Sequence, residues 1–271
     1  LDYLPFKADA LFELGLWHTG NGDGKQAEQL FREALAAAEA GGDDKLKARA
    51  WVYLVFIVGE TQVRQAEALE AARQAEATLI RLGGDEQLSS ELDRHRGEVL
   101  ANMGRYAEAR AAFERALAAR ERRYGPEDPG VANIHESLAS LDNRQGKFAE
   151  AVAEFQTVVA IRERAFGAEH PDISGALSNL GMALAGMGRL DEAATTFQRS
   201  LAMAERTRVA DHRDAATTRM NLALVTLLQG RAKESIPIFE QALATQERVL
   251  GVDHPRVATT LGNLGEAHRT L

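Results

Sequence analysis

The pair Gly-Arg or Gly-Lys recurs four times at one spacing: Gly104-Arg105, Gly146-Lys147, Gly188-Arg189 and Gly230-Arg231 each stand 42 residues apart. A fixed period in this range belongs to a solenoid, in which each unit buries its apolar face only against its neighbours. Such a chain grows by adding units, so its 271 residues do not call for two separate cores.

The residues around the four glycines fall into register. Five positions on come Ala109, Ala151, Ala193 and Ser235; nine on, Phe113, Phe155, Phe197 and Phe239; thirteen on, Leu117, Val159, Leu201 and Leu243. These offsets put a small residue, an aromatic and an aliphatic on one helical face, which predicts the second helix of a helical hairpin. Upstream, Leu138, Leu180, Leu222 and Leu264 share a phase and are followed by Ala139, Gly181, Ala223 and Gly265. A small residue there lets the two helices of a hairpin approach closely. The anchoring glycine suits a turn, where a helix commonly ends in positive φ. The connections Tyr124-Gly125-Pro126-Glu127-Asp128-Pro129, Phe166-Gly167-Ala168-Glu169-His170-Pro171 and Leu250-Gly251-Val252-Asp253-His254-Pro255 set Gly at a helix stop and Pro at a helix start.

This order of small and large residues resembles the tetratricopeptide repeat. The usual repeat is about 34 residues. The 42-residue period and the Gly-x-Asp/Glu-His-Pro connection resemble its kinesin-light-chain type, from about Ser89 to Leu271. The expected fold is all-α, a right-handed α-α superhelix of about six helical hairpins with the last one truncated, or about eleven helices plus part of a twelfth. The expected organisation is a single solenoid over 1–271. Two degenerate repeats fill 1–87, regular repeats fill 88–129, 130–171, 172–213 and 214–255, and 256–271 is the first helix of a truncated repeat.

In the degenerate third, Gly22 keeps its partners Ala27, Phe31 and Leu35 at the usual offsets. Gly59, followed by Ala68 and Ala72, is a weaker anchor 37 residues after Gly22 and 45 before Gly104. Terminal repeats deviate because they cap the stack. The connection Arg208-Val209-Ala210-Asp211-His212-Arg213 lacks the Gly and Pro of the others, which points to a different turn, such as a longer helix. Starting at Leu1 and stopping within a repeat, the sequence reads as a piece of something longer, with a cytoplasmic setting.

Composition removes several function classes. Against 40 Asp+Glu stand 32 Lys+Arg, a net charge of −8, with no basic stripe for nucleic acid. No cysteine is present, which excludes disulfides, thiol nucleophiles and Cys-based zinc sites. The longest apolar run, Trp51 to Val58, is far short of the ~20 residues a membrane-spanning helix needs. That run is apolar on every side of a helix and is expected to lie buried between both neighbours; the alternative is a patch that docks a partner or a second copy of the chain. Gly20-Asn21-Gly22-Asp23-Gly24-Lys25 lacks the Ser or Thr of a phosphate loop and reads as a turn. His170, His212 and His254 recur every 42 residues, but helix packing at ~8–10 Å keeps equivalent points too far apart for one ion. They are expected to be structural parts of the connections. No catalytic triad, carboxylate dyad or His-Glu-x-x-His pattern occurs, so no catalysis, cofactor or metal is expected in this fragment.

One row stands out. Asn179, Asn221 and Asn263 precede the Leu of their first helices, and Ser137 and His95 hold the same phase. A core would not choose Asn repeatedly, because a buried amide without partners is costly. The resemblance implies that the first helices line a concave groove, where such an Asn holds a peptide backbone through its donor and acceptor atoms. The alternative is that each Asn bonds within its own hairpin or to the next helix. Adding the neighbouring phases, the candidate groove comprises His95, Asn133, Ser137, Ser140, Arg144, Asn179, Met182, Asn221, Leu224, Asn263 and Glu266. Repeats that clamp a C-terminal carboxylate rely on Lys and Arg at such positions; only Arg144 and Arg94 are available here.

The expected function is a non-catalytic module binding a protein or peptide segment. The chain also resembles the region following the catalytic domain of large bacterial serine/threonine kinases, which implies a sensor or scaffold arm. The competing readings are a structural oligomerisation scaffold, or part of a regulated NTPase or kinase whose activity lies outside this fragment.

Overall fold

A computed structural model describes residues 4–206 and 213–271. Among them the chain forms thirteen α-helices, one π-helical turn and no strand. The helices are α1 (Leu4–Gly20), α2 (Gly24–Gly41), α3 (Asp44–Phe56) running into the π turn Ile57–Thr61, α4 (Gln65–Arg81), α5 (Glu86–Asn102) and α6 (Tyr106–Tyr124). They continue with α7 (Pro129–Arg144), α8 (Phe148–Phe166), α9 (Pro171–Gly186), α10 (Leu190–Arg206), α11 (Arg213–Leu228), α12 (Ala232–Leu250) and α13 (Pro255–Arg269). Six pairs form complete hairpins and α13 stands alone. The count exceeds the eleven to twelve expected, because two degenerate repeats, four regular ones and one further helix already make thirteen. The helices pack as two compact units, one ending at Pro126 and one beginning at Glu127, so α1–α6 belong to the first and α7–α13 to the second.

Five of the six hairpins are each held by one aromatic in a slot cut for it. Phe31, Phe113, Phe155, Phe197 and Phe239 are all fully buried on second helices. A Cβ placed on Gly97 or Gly181 would lie within 2.9 Å of three ring carbons of Phe113 or Phe197. Gly15 meets Phe31 in the same way, and Ala139 and Ala223 hold the position, fully buried, in the remaining regular hairpins. Gly265 shares the phase on α13, against which no second helix packs among the described residues, and has nothing within 4 Å. The aromatic of the hairpin's own second helix therefore demands the small residue. Burying such a ring contributes ~1.5–3 kcal/mol per hairpin.

The 42-residue beat is the hairpin turn. Gly104, Gly146, Gly188 and Gly230 have φ of 73° to 77°, conformations that cost an L side chain. The next amide reaches back five residues to close the helix, as Arg105 N–H does to the Leu100 carbonyl at 2.9 Å. The basic residue of the beat then pairs along the first turn of the second helix: Arg105 with Glu108, Arg189 with Glu192, Arg231 with Glu234.

The second hairpin corrects the expected register. Gly59 is no turn residue; it lies buried in the π turn, where a Cβ would strike Val99 and come within 2.9 Å of the Ala68 methyl. The positive-φ position belongs to Val63 (φ 59°), 41 residues after Gly22 and 41 before Gly104. Counted from Val63, Ala68 takes the small position and Ala72 the aromatic one, and both are buried. The period survives almost intact, hidden because Val stands where Gly is expected.

The long connections explain their own sequence. Gly125, Gly167 and Gly251 end one helix with φ of 83° to 86°. Asp128, His170 and His254 then cap the next: Asp128 Oδ1 accepts from the Gly130 amide (2.9 Å), and His170 Nδ1 and His254 Nδ1 accept from the Asp172 and Arg256 amides (3.3 and 3.2 Å). Pro129, Pro171 and Pro255 occupy the first turn, where the missing N–H costs nothing. Residues 207–212, with His212 and the expected different turn, lie outside the described residues.

The apolar run of α3 is consumed by the first unit. Val52, Leu54, Val55, Ile57 and Val58 are buried, and Tyr53 meets Phe12 edge-on at 5.3 Å. Trp51, Tyr53 and Phe56 are half-buried and pack on the same core.

Candidate functional site

The first helices of the second unit, α7, α9, α11 and α13, carry every candidate groove residue except His95, which belongs to the first unit. Within the second unit α9 touches α11, and α11 touches α13, so first helices are neighbours of first helices.

The Asn row builds rungs between those neighbours. Asn179 Nδ2 donates to Glu136 Oε1 of α7 at 3.2 Å, and Asn263 Nδ2 points at Met220 Sδ of α11 at 3.8 Å. Both partners lie 43 residues upstream, one position before the row in the preceding repeat. By that rule the rung of Asn221 would be Ser178. The Ser178 hydroxyl is already bonded to Thr218 Oγ1 at 2.8 Å. Asn221 Nδ2 is left shut off from solvent with no hydrogen-bond partner. An unmet buried donor costs ~1–3 kcal/mol, so Asn221 holds hydrogen-bonding capacity that its neighbours have spent.

Glu136 joins a wider network. Arg162, 8% exposed on α8, donates to Glu136 Oε2 (2.6 Å), to Asn133 Oδ1 (3.0 Å) and to the Asp172 carbonyl (3.1 Å). The exposed Asn133 is thus committed through its acceptor. Ser137 is buried and bonds the Asn133 carbonyl of its own helix at 3.3 Å. Ser140 is half-buried, and Arg144 is exposed at the end of α7. Met182 is 43% exposed and Leu228 61% exposed, while Leu224 is half-buried against the Phe239 cluster. Glu266 is exposed and pairs with Arg269 on α13. Sequence reasoning missed Glu136 and Arg162. The signal for Glu136 was a polar residue immediately before the row, shared with Arg94 and Ser178; Arg162 resembled the solvated Arg residues of the other second helices.

In the first unit His95 is 6% exposed on α5. Its Nδ1 stands 2.7 Å from Glu60 Oε1, and the Arg94 guanidinium lies over the ring, 3.0 and 3.4 Å from its two nitrogens. Burial, with the Arg94 charge adding to it, holds the imidazole well below its usual pKa, and burial pushes the Glu60 carboxyl up to about 7.

Among the described residues no group of three or more His, Asp or Glu could hold a metal ion, and no helix is long and apolar enough to cross a membrane.

Comparison with known proteins agrees with the hairpin geometry. A tetratricopeptide repeat family model matches residues 88–164, 131–206 and 214–271, and a second tetratricopeptide repeat model matches 10–45. No curated protein sequence gives a significant match. Among solved structures, the nearly identical TPR-like repeats of a putative kinesin light chain from Podosopora anserina share 22% identity. That likeness covers 74% of this chain and 96% of that one, with a TM-score of 0.63. BtubC from P. vanneervenii is 18% identical over 93% of this chain and 94% of its own, TM-score 0.69. A signal-transduction ATPase with a tetratricopeptide repeat sensor from Pyrococcus horikoshii is 12% identical over 97% of this chain and 41% of its own, TM-score 0.71. With the repeat models covering more than half of its length and the hairpin geometry in agreement, the chain belongs to the tetratricopeptide repeat family, a typically non-catalytic fold for binding proteins.

Proposed function

We propose that the first-helix face of the second unit binds an extended protein or peptide segment, with Asn221 as its central anchor. The supporting observation is the unspent Asn221 amide between Asn179 and Asn263, whose donors are taken by adjacent helices. Rotation about its Cβ–Cγ bond turns the amide donors outward, where a backbone carbonyl satisfies them. The exposed Met182 and Leu228 add apolar contact, and Asn133, Ser140, Arg144 and Glu266 supply the polar edge. Each net hydrogen bond contributes ~0.5–1.5 kcal/mol, so binding draws on several hairpins together.

The same reading makes the chain the sensor or scaffold arm of a larger cytoplasmic signalling protein, such as a bacterial serine/threonine kinase. The tetratricopeptide repeat sensor of the P. horikoshii ATPase supports that kind of arrangement. A peptide-library screen on the chain tests the groove, with selected peptides then titrated by fluorescence anisotropy against Asn221→Ala. The substitution should weaken binding several-fold while circular dichroism stays unchanged; unchanged affinity in a folded variant rejects the site.

A further inference from the structure

The second hairpin departs from the others in three ways that meet at one point. Its first helix ends in a π turn, its hairpin turn uses Val63 in place of Gly, and the π turn carries Glu60 against His95 of the third hairpin. π-helical insertions cost regular hydrogen bonding and recur at functional positions. Here the insertion delivers a carboxyl to an imidazole that is otherwise sealed, with the ring of Phe56 5.0 Å from that of His95.

We propose that Glu60, His95 and Arg94 form a proton-operated switch in the joint between the second and third hairpins. The chemistry follows from the contacts. A guanidinium over the ring tolerates a neutral imidazole and repels an imidazolium, so His95 stays neutral and proton exchange falls to Glu60. Ionised, Glu60 accepts from Nδ1–H and faces Arg94, but its charge is held in poorly solvated surroundings. Protonated, it sheds that charge and keeps an acceptor for His95.

The other charges nearby do not compete. On α5, Glu91 acts on His95; from α3, Tyr53 lies in the field of Glu91, Arg49 and Arg94. Toward α2 and α4, Glu28, Arg32, Arg64 and Glu67 pair among themselves. Arg94 is the charge that bears on Glu60, and it lowers the carboxyl less than burial raises it.

The direction is fixed by linkage. A carboxyl whose folded pKa is raised, to about 7 from 4.5, binds its proton more tightly folded than unfolded. Its stabilising effect is present at low pH and is lost as pH rises from 4.5 through 7. The opening equilibrium of the first unit therefore rises about tenfold between pH 6 and pH 8. Both tryptophans, Trp17 and Trp51, lie in this unit and report its unfolding. Urea titrations of the chain followed by tryptophan fluorescence should give a lower midpoint at pH 8 than at pH 6, and Glu60→Gln should flatten that difference. In parallel, 13C NMR of the glutamate carboxyls of the unsubstituted chain should show one resonance titrating near 7. A Glu60→Gln variant with the full pH dependence overturns the switch, and so do carboxyls that all titrate below about 5.

Discussion

Gly97 and Phe113 test whether the hairpin's close approach is a steric lock. Ala in place of Gly in a helix gains ~0.8–1.0 kcal/mol in propensity. Against it, the new methyl falls within 2.9 Å of three carbons of a fully buried ring, an overpacking worth ~1–3 kcal/mol. Gly97→Ala alone should therefore destabilise the first unit by about 1 kcal/mol. Phe113→Leu alone should cost roughly 1–2 kcal/mol as the ring is lost and a gap opens. In the Phe113→Leu background the added methyl meets no ring, so the same Gly97→Ala step should reverse sign and stabilise by about 1 kcal/mol. Urea unfolding followed by tryptophan fluorescence measures all four corners of the cycle. The expected coupling is ~1–3 kcal/mol; additivity within ~0.5 kcal/mol would refute the lock. Gly265→Ala supplies the internal control: with nothing within 4 Å, it should only stabilise α13, by up to about 1 kcal/mol, read from amide exchange in that helix.

Three further outcomes follow from named contacts. Asn179→Ala should cost ~1 kcal/mol more than Asn221→Ala in chemical unfolding, because only Asn179 has a hydrogen-bonded partner to strand. Arg162→Met should destabilise the second unit by about 2–3 kcal/mol, below the ~3–5 kcal/mol of a fully buried pair because Glu136 remains 28% exposed; amide exchange in α7 and α8 reports it. His254→Ala should cost ~0.5–2 kcal/mol through its lost cap, whereas His254→Asn, a stronger cap, should be neutral or better, again by exchange of the first turn of α13.

The hairpins were legible because their cause is local and periodic. Phe113 and Gly97 lie 16 residues apart in one unit, and the demand of a ring for a small opposing residue repeats with every unit. The histidine caps were legible for a similar reason: the chemistry of His170 and His254 is settled within two residues. The second hairpin was misread at Gly59, since a β-branched residue with positive φ at Val63 has no sequence signature, and the π turn that accompanies it, with Gly59 packed close to Val99, has none either.

The candidate groove divides at the same line. Sequence alone determined that Asn179, Asn221 and Asn263 share one phase of successive first helices, because a fixed period carries equivalent residues to equivalent places. It could not determine what each amide is bonded to. That choice was made by residues about 40 positions away: Glu136 accepts from Asn179, Met220 faces Asn263, and Thr218 takes the Ser178 hydroxyl that would have answered Asn221. Hydrogen-bond acceptors between packed helices are few and satisfy whichever donor reaches them in line, so only the tertiary structure decided which asparagine was left unpaired.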